Sequence, residues 1–508
     1  PLAIELAAAR VRAYGVQDLA RALGDRFRVL RVPAHDRPER HQTLSAAISW
    51  SYDLLDDDER CLYERLSVVP GPFDAAAAAV VCGFAPLDPR DVVHVLARLV
   101  DKSVVTVIRT GGTTRYQLLE SLREYGQMRA PDRAPAVIER HINHFRAVAA
   151  HAHDLFVSHD AELGRALFEQ DWHNIRAAAR WAAERSDLTD FCEILEAVFW
   201  YCDNDDINEP GAWAESVIER GDVVRPEVYG IAGWFATGTG EPERARRLAE
   251  RGLEVAPSLD DRSTMRCWQA LQLAHWYTGG LQEAFDAQEQ YVARLDIERD
   301  RYDAVYGIAQ LGGVATFTGR EGGAGYLAQA RAIATPIGNP TLTMFVEFMS
   351  AGHAMGERRF DDAFDGFGYA AELARAAHCR RWEIRARATQ VVMAGEAGRA
   401  DRHELRLHLF RDHYEMRRWS ETSGELTSVF LEWEAAGWTE AAAVLLGYLE
   451  ANGIDHSMAA EDRPAAAARV RVDPHCTAAL ERGAAMDRDD IARFVIAHLE
   501  TKVGSARD

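Results

Sequence analysis

The chain has 508 residues, 48% apolar and 27% charged, and no apolar run approaches the roughly 20 residues of a membrane-spanning helix, which excludes both a one-core protein and a membrane-inserted one. Its net charge of −21 is uneven: residues 1–130 hold 17 basic and 17 acidic side chains, so the remaining 41 and 62 carry all of it, and such an acidic stretch repels phosphate backbones. Seven scattered cysteines without a C-x-x-C pair argue against a disulfide framework or a zinc site and for a reducing, cytoplasmic setting.

Pro1 opens a helical pattern over 2–14 with no basic leader, the start expected of a chain cut from something longer and not of a signal peptide. A second helical pattern covers 16–23 after a break at Gly15. A polar linker at 37–41 precedes Thr43, a cap for a helix over 44–55 in which Leu44, Ala47, Ile48 and Leu55 recur at helical spacing. Asp56, Asp57 and Asp58 put negative charge at the start of a helix over 59–66, where the macrodipole favours it. A turn at Pro70, Gly71 and Pro72 leads to Asp74, an N-cap for an alanine-rich helix ending at Cys82 and Gly83. Another helix is expected over 88–102, and residues 103–119 alternate β-formers around Gly111 and Gly112, a hairpin signal. Several helices followed by a two-stranded ribbon make the pattern of a winged helix.

Five stretches carry a resemblance: PLAIELAAAR at 1–10, RHQTLSAAISWSYDLL at 40–55, LSVVPGPFD at 66–74, LVDKS at 99–103 and RYQLLESLREY at 115–125. In this order and spacing they resemble actinobacterial STAND-class regulatory ATPases, which join an NB-ARC-like nucleotide-binding domain, a winged helix and a tetratricopeptide-like array. WHNIRAAARW at 172–181 is similar to their first array helices. The resemblance implies a helical remnant of the ATPase module at 1–35, a winged-helix domain at 36–130, a repeat array at 131–455 and capping helices at 456–508. It implies an adenine contact for Pro1, which matches the proline of the family's G-x-P motif. Leu119 and Glu120 stand where many relatives carry a nucleotide-sensing His-Asp pair, so these two positions become a switch joint without that latch. The P-loop needs a glycine-rich turn followed by lysine, and neither Lys102 nor Lys502 follows a glycine. ATP or ADP is therefore expected only in the full-length protein, and this portion is not itself an enzyme.

Downstream the pattern is almost wholly helical. Glycine-containing turns recur at Gly240, Gly280, Gly319, Gly356, Gly398 and Gly437, at intervals of 40, 39, 37, 42 and 39, a helix-pair repeat longer than the 34 of a standard tetratricopeptide unit. Small residues such as Ala245, Ala284, Ala363 and Ala441 follow these turns and allow the second helix of a pair to approach the first. Seven or eight pairs are expected from residue 136 onward, giving a mostly α fold: a helical domain and winged helix followed by an α-solenoid. Aromatic residues cluster on the first helices of the pairs, Tyr229, Phe235, Tyr302, Tyr306, Phe317, Phe345 and Phe348 among them, with interior packing as the expected role. Trp234, Trp268, Trp276 and Tyr277 are the candidates for lining a ligand groove. After residue 453 a connection containing 459–469 leads to two last helices.

Other constellations carry less. His141, His144 and His151 share a helix face without carboxylates at ligand spacing and are expected at the surface. His403, Glu404 and His408 are one residue too long for H-E-x-x-H. The acidic run 203–209 fails the EF-hand pattern at Ile207 and is expected to be a solvated loop. The polar face of 88–102 (Asp88, Arg90, Asp91, His94, Arg98, Asp101, Lys102) mixes both signs, so an intramolecular clamp is favoured over DNA contact. The expected function is regulatory: a clamp and a sensor array controlling an upstream nucleotide-binding domain, with a protein or small-molecule signal, no nucleic acid, no membrane, and an oligomer on activation. The alternatives are a non-switching scaffold and the regulatory tail of a nucleotidyl cyclase or other upstream enzyme.

Overall fold

A computed structural model describes residues 44–110, 112–129, 132, 134–221, 225–415, 419–452 and 463–505. Pro1, the two helical patterns before residue 24, Thr43 and Gly111 lie outside them. The chain divides into two compact units, one of residues up to 152 with 165–197, the other of 153–164 with 198–508.

The first unit opens with α1 (Leu44–Asp53), α2 (Asp57–Leu66), α3 (Ala75–Cys82) and α4 (Val92–Asp101), followed by β1 (Val105–Thr110), β2 (Thr113–Leu118) and α5 (Glu120–Arg129). Asp56 caps α2 through a reciprocal box, its Oδ1 accepting from the Glu59 N–H at 2.9 Å while Glu59 Oε2 accepts from the Asp56 N–H at 2.9 Å. Asp74 caps α3 as expected, accepting from the Ala77 N–H at 2.7 Å. The helix expected from residue 88 begins only at Val92, because Asp88 Oδ1 accepts from the Arg90 N–H at 2.8 Å and holds the chain in a turn around Pro89. The hairpin pairs antiparallel from Val105 opposite Leu118 to Thr110 opposite Thr113, and Gly112 turns it at φ 84°.

The unit continues into α6 (Ala134–Phe156) and α7 (Ala161–Ala183). Here one expectation fails. His141 is fully buried, its ring 4.4 Å from that of Phe145 and 4.9 Å from that of Trp181. Burial pushes its pKa down to about 3, with the neighbouring Asn174 side chain only partly opposing. His144 is half-buried and also lowered by burial, whereas His151 is exposed.

The second unit is a run of helix pairs: α8 (Thr189–Asn204, which begins in the first unit) with α9 (Glu209–Glu219), α10 (Pro226–Gly238) with α11 (Pro242–Val255), α12 (Met265–Tyr277) with α13 (Leu281–Ala293), α14 (Arg301–Phe317) with α15 (Gly323–Ile337), α16 (Pro340–Gly356) with α17 (Phe360–Ala376), α18 (Arg380–Glu396) with α19 (Arg402–Glu415), and α20 (Trp419–Ala435) with α21 (Thr439–Ala451). With α6 and α7 these make eight consecutive pairs among the described residues. The turn inside each pair is stereotyped. The amide after a left-handed residue donates to the carbonyl five residues back, as in Glu241 to Ala236 at 2.9 Å, Gly280 to His275 at 2.9 Å, Arg359 to Ala354 at 2.9 Å and Trp438 to Trp433 at 2.8 Å.

The left-handed positions are Asp206, Gly240, Gly279, Gly319, Arg358, Gly398 and Gly437; the first step is 34 residues, and from Gly240 on the intervals are 39, 40, 39, 40 and 39, so that part of the repeat is more regular than the sequence spacing suggested. Gly280 and Gly356, taken from the sequence as turn markers, do other work. Gly280 sits one position on, and a Cβ on Gly356 would meet Thr316 Cγ2 at 2.4 Å. The small residues after the turns behave as expected, with Ala245, Ala284, Ala363 and Ala441 all buried.

Beyond residue 462 three helices follow where two were expected: α22 (Arg463–Val472), α23 (Thr477–Ala484) and α24 (Arg488–Ser505). Pro464 lies in the first turn of α22, where a missing N–H costs nothing. These helices share one apolar core with α19 to α21, built from Phe410, Leu426, Phe430, Trp433, Leu446 and Ile491 among others. Gly447 on α21 and Gly483 on α23 let the two backbones touch, since a Cβ would meet Leu480 O at 2.1 Å and Val444 O at 1.9 Å respectively.

Candidate functional site

The first helices of the pairs supply an aromatic ladder inside the second unit. Trp200 on α8 lies 4.4 Å from Tyr306 on α14, Tyr306 stacks on Phe345 of α16 at 4.0 Å, and Phe345 meets Trp382 of α18 edge-on at 5.0 Å. Each such contact contributes about 0.5–1.5 kcal/mol beyond the area it buries.

Two buried carboxylates are threaded through this ladder. Asp303 accepts from Trp200 Nε1 at 3.2 Å, Arg266 Nη1 at 2.9 Å and Tyr291 Oη at 2.7 Å. Burial works to raise its carboxyl, but Arg266 beside it and the bonds from Tyr291 and Trp200 outweigh that and hold it below the ordinary carboxylate range. Arg266 is itself stacked 4.0 Å over the Phe199 ring. Asp203, at the end of α8, accepts through Oδ1 from Trp234 Nε1 at 2.7 Å and from Arg381 of α18. It is 1% exposed and Asn204 is 2% exposed, which overturns the expected solvated loop at the start of 203–209. The reason is positional: α8 continues through both residues, and its end is covered by α10, α14 and α18. Asp203 Oδ2, Gln269 Nε2, Gln272 Oε1, Gln288 Oε1 and Gln310 Oε1 have no hydrogen-bond partner among the described residues. A core chosen for stability alone would not contain such groups.

The groove candidates separate by position. Trp234 is 2% exposed and belongs to the ladder. Trp268 is half-buried under the Arg294 guanidinium at 5.2 Å, and Trp276 is half-buried against Phe317 at 5.3 Å. Tyr277 alone of the four presents its ring, at 44% exposure, with the Arg385 guanidinium 5.8 Å from its centroid. Asp303, Arg266, Arg381, Arg385, Trp200 and Trp382 were not singled out from the sequence, and Asp203 was taken only as the start of a solvated acidic run. The available signal was the unbroken apolar run from Val198 to Cys202, which has no solvent face and so predicts burial of the residues that continue it.

In the first unit, the opening residue of the 115–125 stretch is the anchored one. Arg115 Nη2 donates to Asp171 Oδ1 of α7 at 2.5 Å and to Pro72 O at 2.6 Å, and both side chains are buried. Asn174 of α7 accepts from the Gly71 N–H at 3.1 Å and donates to Pro72 O at 2.8 Å, while Phe73 and Tyr116 exchange backbone bonds of 3.0 and 2.7 Å. Leu119 is 56% exposed, and Glu120 begins α5, accepting from Arg123 at 3.2 Å.

Neither lysine is placed as a phosphate-cradling lysine would be. Lys102 donates to Glu59 Oε2 at 2.6 Å, and Lys502 lies 4.2 Å from the Trp438 ring, so neither lysine meets a turn of backbone N–H groups. Arg98 also donates to Glu59, at 3.1 Å, which ties up two cations of the α4 face. No described helix is long and apolar enough to cross a membrane.

No family model matches the chain. Over 223 residues it is 36% identical to a protein of Mycobacterium tuberculosis named "Putative HTH-type transcriptional regulator", and equally to its counterpart in Mycobacterium bovis. The chain resembles a regulator. That match covers 43% of this chain and 25% of the relative, so the chain spans about a quarter of the length of the curated relatives it matches first. A second Mycobacterium tuberculosis protein, uncharacterized, is 37% identical over 149 residues, 29% of this chain and 38% of that one. Among solved structures, a STAND protein with a tetratricopeptide repeat sensor from Pyrococcus horikoshii covers 100% of this chain and 74% of its own, at 13% identity and a TM-score of 0.39. The likeness to the named regulators supports a regulatory role.

Proposed function

We propose that this chain is the regulatory portion of a STAND-type signalling ATPase, in which the helices and hairpin of residues 44–129 act as a winged-helix clamp on an ATP-binding switch domain and the helix-pair array is the sensor. The protein works in the cytoplasm, takes a protein or small-molecule signal on the array, and assembles into oligomers when active. Nucleotide chemistry belongs to the switch domain, and none is routed through the residues described above.

One observation supports the switch reading more than any other. Asp203 and Arg381, 178 residues apart on α8 and α18, form a largely buried charged contact across the four pairs between them. Such a contact is cheap to keep closed and costly to leave half-open, which makes the array an all-or-none element that a signal can bias. To move the balance from one state to the other, the signal must favour one form by about 5.5 kcal/mol.

The test is deletion of residues 136–508 from the full-length protein, followed by nucleotide exchange and oligomer size with and without the array. Faster exchange and larger assemblies on deletion are expected. Unchanged behaviour would remove the sensor role.

A further inference from the structure

Arg381 and Arg385 lie one turn apart on α18 and so share a face of that helix. Arg381 is committed to Asp203. The Arg385 guanidinium makes no hydrogen bond and no ion pair among the described residues, although it is only partly exposed and the Asp203 charge acts on it at longer range. Its guanidinium carbon lies 5.4 Å from the Trp382 ring and 5.8 Å from the Tyr277 ring. Stacked rings hold a guanidinium flat and strip water from its faces while leaving its N–H edges available for a planar, bidentate acceptor. The nearby end of α10 adds room: a Cβ on Gly238 would approach nothing closer than Arg381 Nη2 and Asn208 Oδ1, both at 3.9 Å.

We propose that Arg385, flanked by Tyr277 and Trp382, is an oxyanion-binding point of the array that receives a carboxylate or phosphate group of the signal. This rests on the sensor reading above and gives the signal its chemistry. Tyr277 marks the open side, and Asp203 acts as a positioning residue that keeps Arg381 from competing for the anion. Arg381, Arg385 and the Asp203 carboxylate that acts on both leave one net positive charge at this place, which in an array with a large excess of acidic side chains is a selective feature for an incoming anion.

The experiment uses the 508-residue chain, titrated separately with succinate and with inorganic phosphate at low salt near neutral pH, and followed by tryptophan fluorescence and calorimetry. Saturable binding of one or both probes is expected. Binding of succinate alone assigns a carboxylate, and binding of phosphate alone assigns a phosphate group. Arg385→Met should weaken binding roughly tenfold or more, and Arg385→Lys by less, since it keeps the charge and loses the fork. Arg375→Met, on an exposed position of α17, should change nothing. The proposal is overturned if neither probe saturates, if Arg385→Met binds as well as the parent, or if Arg375→Met weakens binding equally. Should Arg385→Met fail to fold by circular dichroism, Arg385→Lys decides, and unchanged affinity there overturns it. Loss of this site would leave the deletion test of the sensor role standing, so the two ideas fail separately.

Discussion

The two parts of the array are built from the same helix pair and differ in how many polar side chains they bury. From α8 to α18 the interior holds Asp203, Arg266 and four glutamines among its aromatic rings, with Asp303 beside them at 15% exposure. From α19 to α24 the core of leucine, valine, alanine and aromatic residues is close enough packed for Gly447 and Gly483 to bring two backbones together, and its buried polar side chains are fewer: Arg406, Thr427 and Arg463, with Glu432 half-buried between His403 and Arg406. Apolar packing delivers stability with little specificity of register. Buried charge costs desolvation and is kept only where its geometry is fully determined. The difference is one of degree, the α8 to α18 interior holding more polar groups whose partners must be kept in place.

The strongest way to break this comparison is to unpair the more polar part. Asp303→Ala leaves Arg266 without its carboxylate and Trp200 Nε1 without its acceptor, and a loss of about 3–5 kcal/mol is expected in denaturant unfolding followed by tryptophan fluorescence. A loss below about 1 kcal/mol would mean that the cluster is solvated in solution, and the contrast between the parts would disappear.

In the less polar part the expected weak point is backbone contact and not charge. Gly447→Ala places a methyl group against Leu480 O and should cost about 2–3 kcal/mol, with no change in the salt dependence of unfolding.

Acid sharpens the contrast in the first unit, where His141 is a neutral group in an apolar shell. Above pH 6.5 neither state holds its proton. Below 6.5 the unfolded chain takes up a proton that the folded core refuses until about pH 3, so stability in that window should fall by about 1.4 kcal/mol per pH unit. His141→Phe should flatten this slope, as read from denaturant midpoints across the range. Asp303 acts lower. Its depressed pKa contributes stability that is present above the unfolded value of 3.8 and is lost as pH falls below it.

The smallest effect concerns the repeat turn. Arg358 holds φ 61° where the turns from Gly240 to Gly437 otherwise carry glycine, so Arg358→Gly should raise the thermal midpoint slightly, through about 0.5 kcal/mol. A lower midpoint would show that the Arg358 side chain, placed 5.5 Å from the Phe360 ring, stabilises more than its backbone strains.

The sequence by itself determined everything that depends on near neighbours: the caps at Asp56 and Asp74, the hairpin, the succession of helix pairs and a repeat close to forty residues, because helical periodicity, capping oxygens and positive φ are written within a few positions. It placed Trp234 on the right helix yet could not say whether its ring faced solvent. The fate of Asp203, His141 and Arg385 was decided only by tertiary structure. Each is a polar residue on a helix, and whether it meets water, an ion partner or two aromatic rings depends on which other helices pack against it, some more than a hundred residues away in sequence. For Asp203 that partner is Arg381. Arg385 lies one turn further along the same helix and has none among the described residues.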